Sequence, residues 1–138
     1  MVEVKSTEIL PVRSSEDVVS VRTAVRKLTQ TIKFGLVDQT KIVTAASEIA
    51  RNTLDYGGGG EVSLELIRRD ADQRAGLRLT FTDRGPGIPD IARALTDGWT
   101  SGNGMGLGLS GTRRLMDEFQ IASNPGEGTT VIITKWSR

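Results

Sequence analysis

The chain has 138 residues, with 18 basic and 17 acidic side chains, a formal net charge of +1 and 37% apolar residues. That is enough for one domain with a sizeable core, and so even a charge balance gives no electrostatic case for nucleic acid or a membrane surface as partner. Neither cysteine nor histidine occurs, which excludes disulfides, thiol nucleophiles, Ser-His-Asp and Cys-His catalysis, His- or Cys-ligated metals and self-phosphorylation on histidine. Any chemistry must use carboxylates, amides, hydroxyls, backbone N–H groups or a bound cation. No apolar run reaches the roughly 18 residues of a membrane span, and the opening M-V-E-V-K-S-T-E lacks the apolar core of a signal peptide. A cytoplasmic protein is expected.

Residues 7–12 (T-E-I-L-P-V) read as a short strand at a sheet edge, because Pro11 cannot donate to a ladder. Ser14 or Ser15 followed by Glu16 and Asp17 signals a helix start. Val18, Val21, Val25, Leu28 and Ile32 then recur at helical spacing, predicting an amphipathic helix over 15–34 with Gly35 as its stop. Its outer face carries Arg22, Arg26, Lys27 and Lys33, either a solvated basic face or a docking surface. A second helix is predicted from Val37 to Asp55, with Ile42, Ala46, Ile49 and Thr53 toward the core. Glu48, Asn52 and Asp55 fall within about 60° of one another on a neighbouring stripe. Glu48 and Asn52, four apart, present a carboxylate and an amide to one spot.

Gly57 to Gly60 form a turn. Val62, Leu64 and Leu66 alternate with polar residues, as do Leu77, Leu79 and Phe81, predicting a hairpin around the polar stretch 70–76. In the phase of the second strand, Asp83 points inward. Two readings fit it: a turn acid before Gly-Pro-Gly, or an inward acceptor for a ligand, since a buried carboxylate must be satisfied. Pro89 starts a short helix through about Leu95. Leu109, Thr112, Leu115, Met116 and Phe119 predict a third helix rising directly out of Gly104–Gly108. Residues 120–123 read as a short strand, N-P-G-E-G as a turn and Thr129–Trp136 as the last strand, with Thr129 in phase with Val131 and Ile133. Paired strands and grouped helices predict an α+β fold, a two-layer sandwich whose mixed, mainly antiparallel sheet carries the helices on one face.

Residues 106–111 match G-x-G-x-x-G, but they follow a loop rather than a buried strand, so a dinucleotide fingerprint does not hold. Walker A, the kinase H-R-D/D-F-G set and G-x-S-x-G are absent. What stands is a glycine run opening a helix, whose free N–H groups and dipole suit phosphates. Leu107–Ser110 could cradle them, with Arg113 and Arg114 in the next turn. Asp83 could accept from an exocyclic amine, and Glu48 and Asn52 offer oxygens suited to Mg²⁺. The ordered set describes a nucleotide site between helix layer and sheet.

S-E-I-A-R-N (47–52), D-R-G-P-G-I (83–88) and G-M-G-L-G-L (104–109), with Gly128-Thr129 near the end, resemble the N, G1 and G2 boxes and later threonine of the GHKL superfamily of Bergerat-fold ATPases and kinases. V-D-Q-T-K-I (37–42), D-G-W-T-S-G (97–102), R-L-M-D-E-F (114–119) and T-K-W (134–136) extend the likeness to the small serine-protein kinases of bacterial partner switching, the RsbT type of the stressosome. The resemblance implies a single ATP-binding kinase domain over 1–138 that uses ATP and Mg²⁺. Asn52 would coordinate Mg²⁺ and Glu48 would act as base or orienter for the acceptor hydroxyl. Asp83 would accept from the adenine amine, with Thr129 helping through water. Gly85 and Gly87 would let the chain pass the base. Gly104, Gly106 and Gly108 would wrap the triphosphate, and Ile88, Met105, Leu107 and Leu109 would complete the nucleotide contacts. Residues from Thr96 to Asn103 would form a lid. One departure is Tyr56, four residues after Asn52, where many relatives place His or Lys; the contact made from there is open.

The partners so implied are a STAS-domain antagonist or scaffold carrying the acceptor serine and a downstream phosphatase, with no nucleic acid or membrane. The rival reading is an anti-sigma factor of the same superfamily, with a sigma factor as partner and kinase activity secondary. A detached ATP-binding module of a histidine kinase comes third, since another chain would have to supply the histidine.

Overall fold

In the computed structural model, which describes residues 1–88, Leu95 and 108–138, period-two alternation sets the sheet. The strands are β1 (Val2–Val12), β2 (Gly60–Arg69), β3 (Arg74–Asp83), β4 (Glu118–Asn124) and β5 (Gly128–Trp136). They form one sheet in the order β1-β2-β3-β5-β4 with every pairing antiparallel. Thus β1 is an edge, as Pro11 requires. Among the described residues the helices are α1 (Ser15–Thr31), α2 (Leu36–Asp55) and α3 (Leu109–Leu115), and with the sheet they make an α+β fold.

The register explains the core. Phe81 is paired with Val62 on one side and Val131 on the other, and Leu79 with Leu64 and Ile133. All six are buried. They pack with Val18, Val21 and Val25 of α1 and Ile42, Ala46 and Ile49 of α2. Burying side chains of this size contributes about 1.5–3 kcal/mol each. The same inward phase carries Asp83 beyond Phe81 at one end of the sheet. At the other it carries Leu77 and its partner Lys135.

Ser14, one of the two residues expected to start it, caps α1: its hydroxyl accepts the Asp17 N–H at 3.1 Å, while the Asp17 carboxylate accepts the Arg13 N–H at 2.9 Å. Other expectations are corrected. The helix ends at Thr31 rather than residue 34, and Lys33, not Gly35, turns the chain, with φ of 60°. The Phe34 N–H reaches the Thr29 carbonyl and the Lys33 N–H the Gln30 carbonyl, the pair of bonds that closes a Schellman turn. Burying Phe34 offsets the strain of a left-handed lysine. Gly35 instead caps the start of α2.

The third helix is also shorter than its spacing predicts. It ends at Leu115, and Phe119 lies in β4. Two tertiary bonds stop it: Lys135 Nζ donates to the Leu115 carbonyl at 3.1 Å, and the Asp117 N–H donates to the Thr134 carbonyl at 3.1 Å, starting the pairing with β5. The predicted helix after Pro89, the lid residues 96–103 and residues 104–107 lie outside the described residues.

Lys135 is only 2% exposed, so its charge must be matched. Its ammonium lies 3.6 Å from Asp38 at the start of α2 and 3.7 Å from Asp117. Arg138 joins the same two carboxylates at 3.7 and 2.9 Å from the exposed side. This cluster ties α2, the end of α3 and β5 together. Removing the buried member should be costly and the exposed one cheap. We expect Lys135→Ala to lower the unfolding free energy by about 3 kcal/mol and Arg138→Ala by under about 1 kcal/mol, measured by urea unfolding. Equal losses would refute this account of the cluster.

Candidate active site

At the opposite end of the inward track, four elements converge. A pocket is lined by Ile49, Asn52, Thr53 and Tyr56 of α2 and its end, Phe81 and Asp83 of β3, Ile88, Leu109 of α3, and Thr129 and Val131 of β5. Its walls are mostly apolar, with a few polar groups aimed inward, the usual composition of a small-molecule site. Asn52, Asp83, Ile88, Leu109 and Thr129, all singled out in the sequence, are brought together here. Glu48 is exposed, one turn before Asn52. Gly108, with φ of 64°, backs onto it so closely that a Cβ there would sit 2.8 Å from Glu48 Oε2. Gly104, Met105, Gly106 and Leu107 lie outside the described residues. Arg113 and Arg114 are exposed on the last turn of the short α3.

Asp83 satisfies both readings of its position. Its Oδ1 accepts the Gly85 N–H at 2.8 Å, the turn-acid role, and also the Thr129 N–H at 3.3 Å. Two backbone donors on one oxygen hold the carboxylate in a single orientation. Among the described residues its Oδ2 takes no hydrogen bond, leaving an acceptor on a residue that lines the pocket.

The segment after Asp83 is pinned from three directions. The Tyr56 hydroxyl donates to the Gly87 carbonyl at 3.0 Å. The Gly126 N–H donates to the Pro86 carbonyl at 2.7 Å. The Ile88 N–H donates to Ser123 Oγ at 2.7 Å. Gly87 adopts φ of 77° and lies against the Asn124 carbonyl, while Gly85 packs on Gly57. Sequence reasoning left Tyr56 open and missed Gly57 and Ser123. A signal for Ser123 existed, because it shares the phase of Phe119 and Ile121. Gly57 carried none, being one of four consecutive glycines.

No group of three or more Asp or Glu positioned to hold a metal occurs among the described residues. The described residues form no cage for a cation, but one amide oxygen does suit Mg²⁺ that is otherwise held by phosphates and water. The free Asp83 oxygen and the apolar walls likewise suit a flat base bearing an amine.

Comparison with known proteins gives the family. Residues 37–137 match the family described as histidine kinase-, DNA gyrase B- and HSP90-like ATPase. The chain is 44% identical over 123 residues to serine/threonine-protein kinase RsbT of Bacillus subtilis, covering 88% of this chain and 90% of that one. It is 30% identical over 125 residues to the anti-sigma F factor of Pasteuria penetrans, covering 88% and 83%. The chain therefore belongs to the histidine kinase-, DNA gyrase B- and HSP90-like (GHKL) ATPase family, in the branch that includes kinases of the RsbT type. Two solved structures share the fold. The RsbU and RsbW domains of Rv1364c from Mycobacterium tuberculosis align with a TM-score of 0.65 and 23% identity over 97% of this chain and 33% of that one. In the SiaB–SiaC complex from Pseudomonas aeruginosa the values are 0.56 and 15%, over 96% and 90%.

The packing around Asp83 gives a direct test. A Cβ at Gly57 would run into the Asp83 carboxylate, itself fixed by two N–H donors. Gly57→Ala should destabilise the protein by about 1–3 kcal/mol, as overpacking does, whereas Gly58→Ala, where a Cβ meets nothing, should cost only its backbone strain of about 1 kcal/mol. Thermal unfolding of both variants checks this; a Gly57→Ala protein as stable as wild type would show that Asp83 is not held rigidly.

Proposed function

We propose that the protein is a Mg²⁺-ATP-dependent serine-protein kinase of a bacterial partner-switching pathway. It phosphorylates a STAS-domain antagonist or scaffold and, once released from it, binds and activates a downstream effector such as a phosphatase. The observation that carries this reading is the Asp83 carboxylate, locked through Oδ1, with no hydrogen bond on Oδ2 among the described residues, in the lining of an apolar pocket with Asn52 and Thr129. An anionic acceptor there selects a base with an exocyclic amine.

In this assignment Asp83 accepts from adenine, Ile88 and Leu109 cover the base, and Gly85 and Gly87 keep the chain close beneath it. Thr129 adds a hydroxyl, through water. Asn52 supplies an oxygen to Mg²⁺, and Gly104, Met105, Gly106, Leu107 and Gly108 wrap the phosphates. Mg²⁺, when bound, supplies neutralisation of the phosphate charge. Phosphoryl transfer asks mainly for positioning and charge stabilisation, so few protein groups suffice. Glu48 accepts the proton of the serine hydroxyl. Its exposure supports this role, because the acceptor arrives on another protein.

The likeness to anti-sigma F factors favours one second reading, a protein that sequesters a sigma factor with kinase activity secondary. Incubation with labelled ATP and a purified STAS-domain protein from the same organism should place label on serine, and its absence would sink the kinase assignment. In competition binding with purified partners, a sigma factor as dominant partner would reverse the ranking. Two variants divide the roles. Asp83→Asn should weaken ATP binding at least about tenfold, the value of a charge-assisted hydrogen bond. Glu48→Ala should leave binding within about twofold and slow transfer about 100-fold or more, as loss of a general base does. Wild-type transfer in the latter would remove Glu48 from that role.

A further inference from the structure

Ser123, near the end of β4 and paired across the ladder with Thr129, has no part in the reading above, yet its hydroxyl joins three elements around the pocket. Its Oγ accepts the Ile88 N–H at 2.7 Å, and its own proton has two acceptors within reach, the Gly128 carbonyl at 3.1 Å and, closer, Thr129 Oγ1 at 2.8 Å. Thr129 is buried and lines the pocket.

A hydroxyl has one proton and two lone pairs, so these contacts constrain one another. The Ile88 N–H fills one lone pair. If the Ser123 proton goes to the Gly128 carbonyl, its second lone pair receives the Thr129 proton. Thr129 then shows the pocket only lone pairs, as an acceptor. If the Ser123 proton goes to Thr129 Oγ1, the Thr129 proton is released toward the pocket, as a donor. The position of one proton on Ser123 thus decides what Thr129 offers a ligand.

We propose that Ser123 is a positioning residue for nucleotide specificity. It donates to Thr129 Oγ1 and so turns the Thr129 proton toward the pocket, to serve a ring nitrogen directly or to donate to a bridging water, which then keeps both its protons for the base and the Asp83 carboxylate. Beside it Asp83 Oδ2 accepts from the amine. An acceptor and a donor side by side match an aminopurine edge, whereas two acceptors do not. The proposal rests on the nucleotide reading given above.

The test is a double-mutant cycle read by calorimetric titration of the full chain with ADP and Mg²⁺. Ser123→Ala should weaken ADP binding about five- to tenfold in the wild-type background, the range of one hydrogen bond. In a Thr129→Val background, where no hydroxyl remains to be oriented, the same change should cost less than about twofold. A purely structural role through Ile88 would give equal losses in both backgrounds. That additive result, or no loss on Ser123→Ala in wild type, overturns the proposal. If Ser123→Ala does not fold, as judged by circular dichroism, Ser123→Cys supplies the same cycle with the volume kept. A wild-type protein that binds no ADP defeats the nucleotide reading and this proposal together. Wild-type binding with an additive cycle defeats only the role of Ser123.

Discussion

One carboxylate at the end of an apolar track organises this molecule. Asp83 follows Leu77, Leu79 and Phe81 on the inward face of β3, where an unsatisfied charge would be expensive. The Gly85 and Thr129 N–H groups answer half of that demand on Oδ1. Glycines crowd the residue because nothing larger fits. A Cβ at Gly57 would strike the carboxylate, one at Gly128 the Asp83 carbonyl, and one at Gly85 the backbone of Gly57. Gly57, Gly85 and Gly128 are therefore first a packing requirement around Asp83, whose Oδ2 takes no hydrogen bond among the described residues.

Helix α2 connects this end of the sheet to the other. Its first turn carries Asp38, held to the buried Lys135, and its C-cap is Tyr56, whose hydroxyl holds Gly87. A 20-residue helix spans about 30 Å, so it is anchored at both ends and packed along its length on the core. Lys135 also caps α3 through Leu115. The N-terminal end of that helix places Leu109 in the pocket wall and Gly108 against Glu48. The charged cluster at one end thus helps set the geometry of the site at the other.

Much of this was legible in the sequence because it follows from local periodicity. Alternation in β2, β3 and β5 gave the inward faces, and with them the directions of Asp83 and Thr129. Helical spacing in α2 placed Ile42, Ala46, Ile49 and Thr53 correctly and put Asn52 at the border of the buried face. The misplaced features depend on partners distant in sequence. Phe119 has helical spacing from Leu115, but pairing with β5 and the Lys135 cap end the helix first. Gly35 is the conventional helix stop, yet burial of Phe34 lets Lys33 take the left-handed turn. Gly57 and Ser123 matter only through contacts with Asp83, Thr129 and Ile88, and no window of local sequence contains those.

The central claim is that Asp83 Oδ2 recognises an exocyclic amine. It is tested most directly by titrating the wild-type protein with ATP and with inosine triphosphate, which replaces that amine with a carbonyl and leaves sugar and phosphates unchanged. The account predicts ATP binding at least about tenfold tighter, because a charge-assisted hydrogen bond is lost and an oxygen is set against a carboxylate. Equal affinity for the two nucleotides would contradict it.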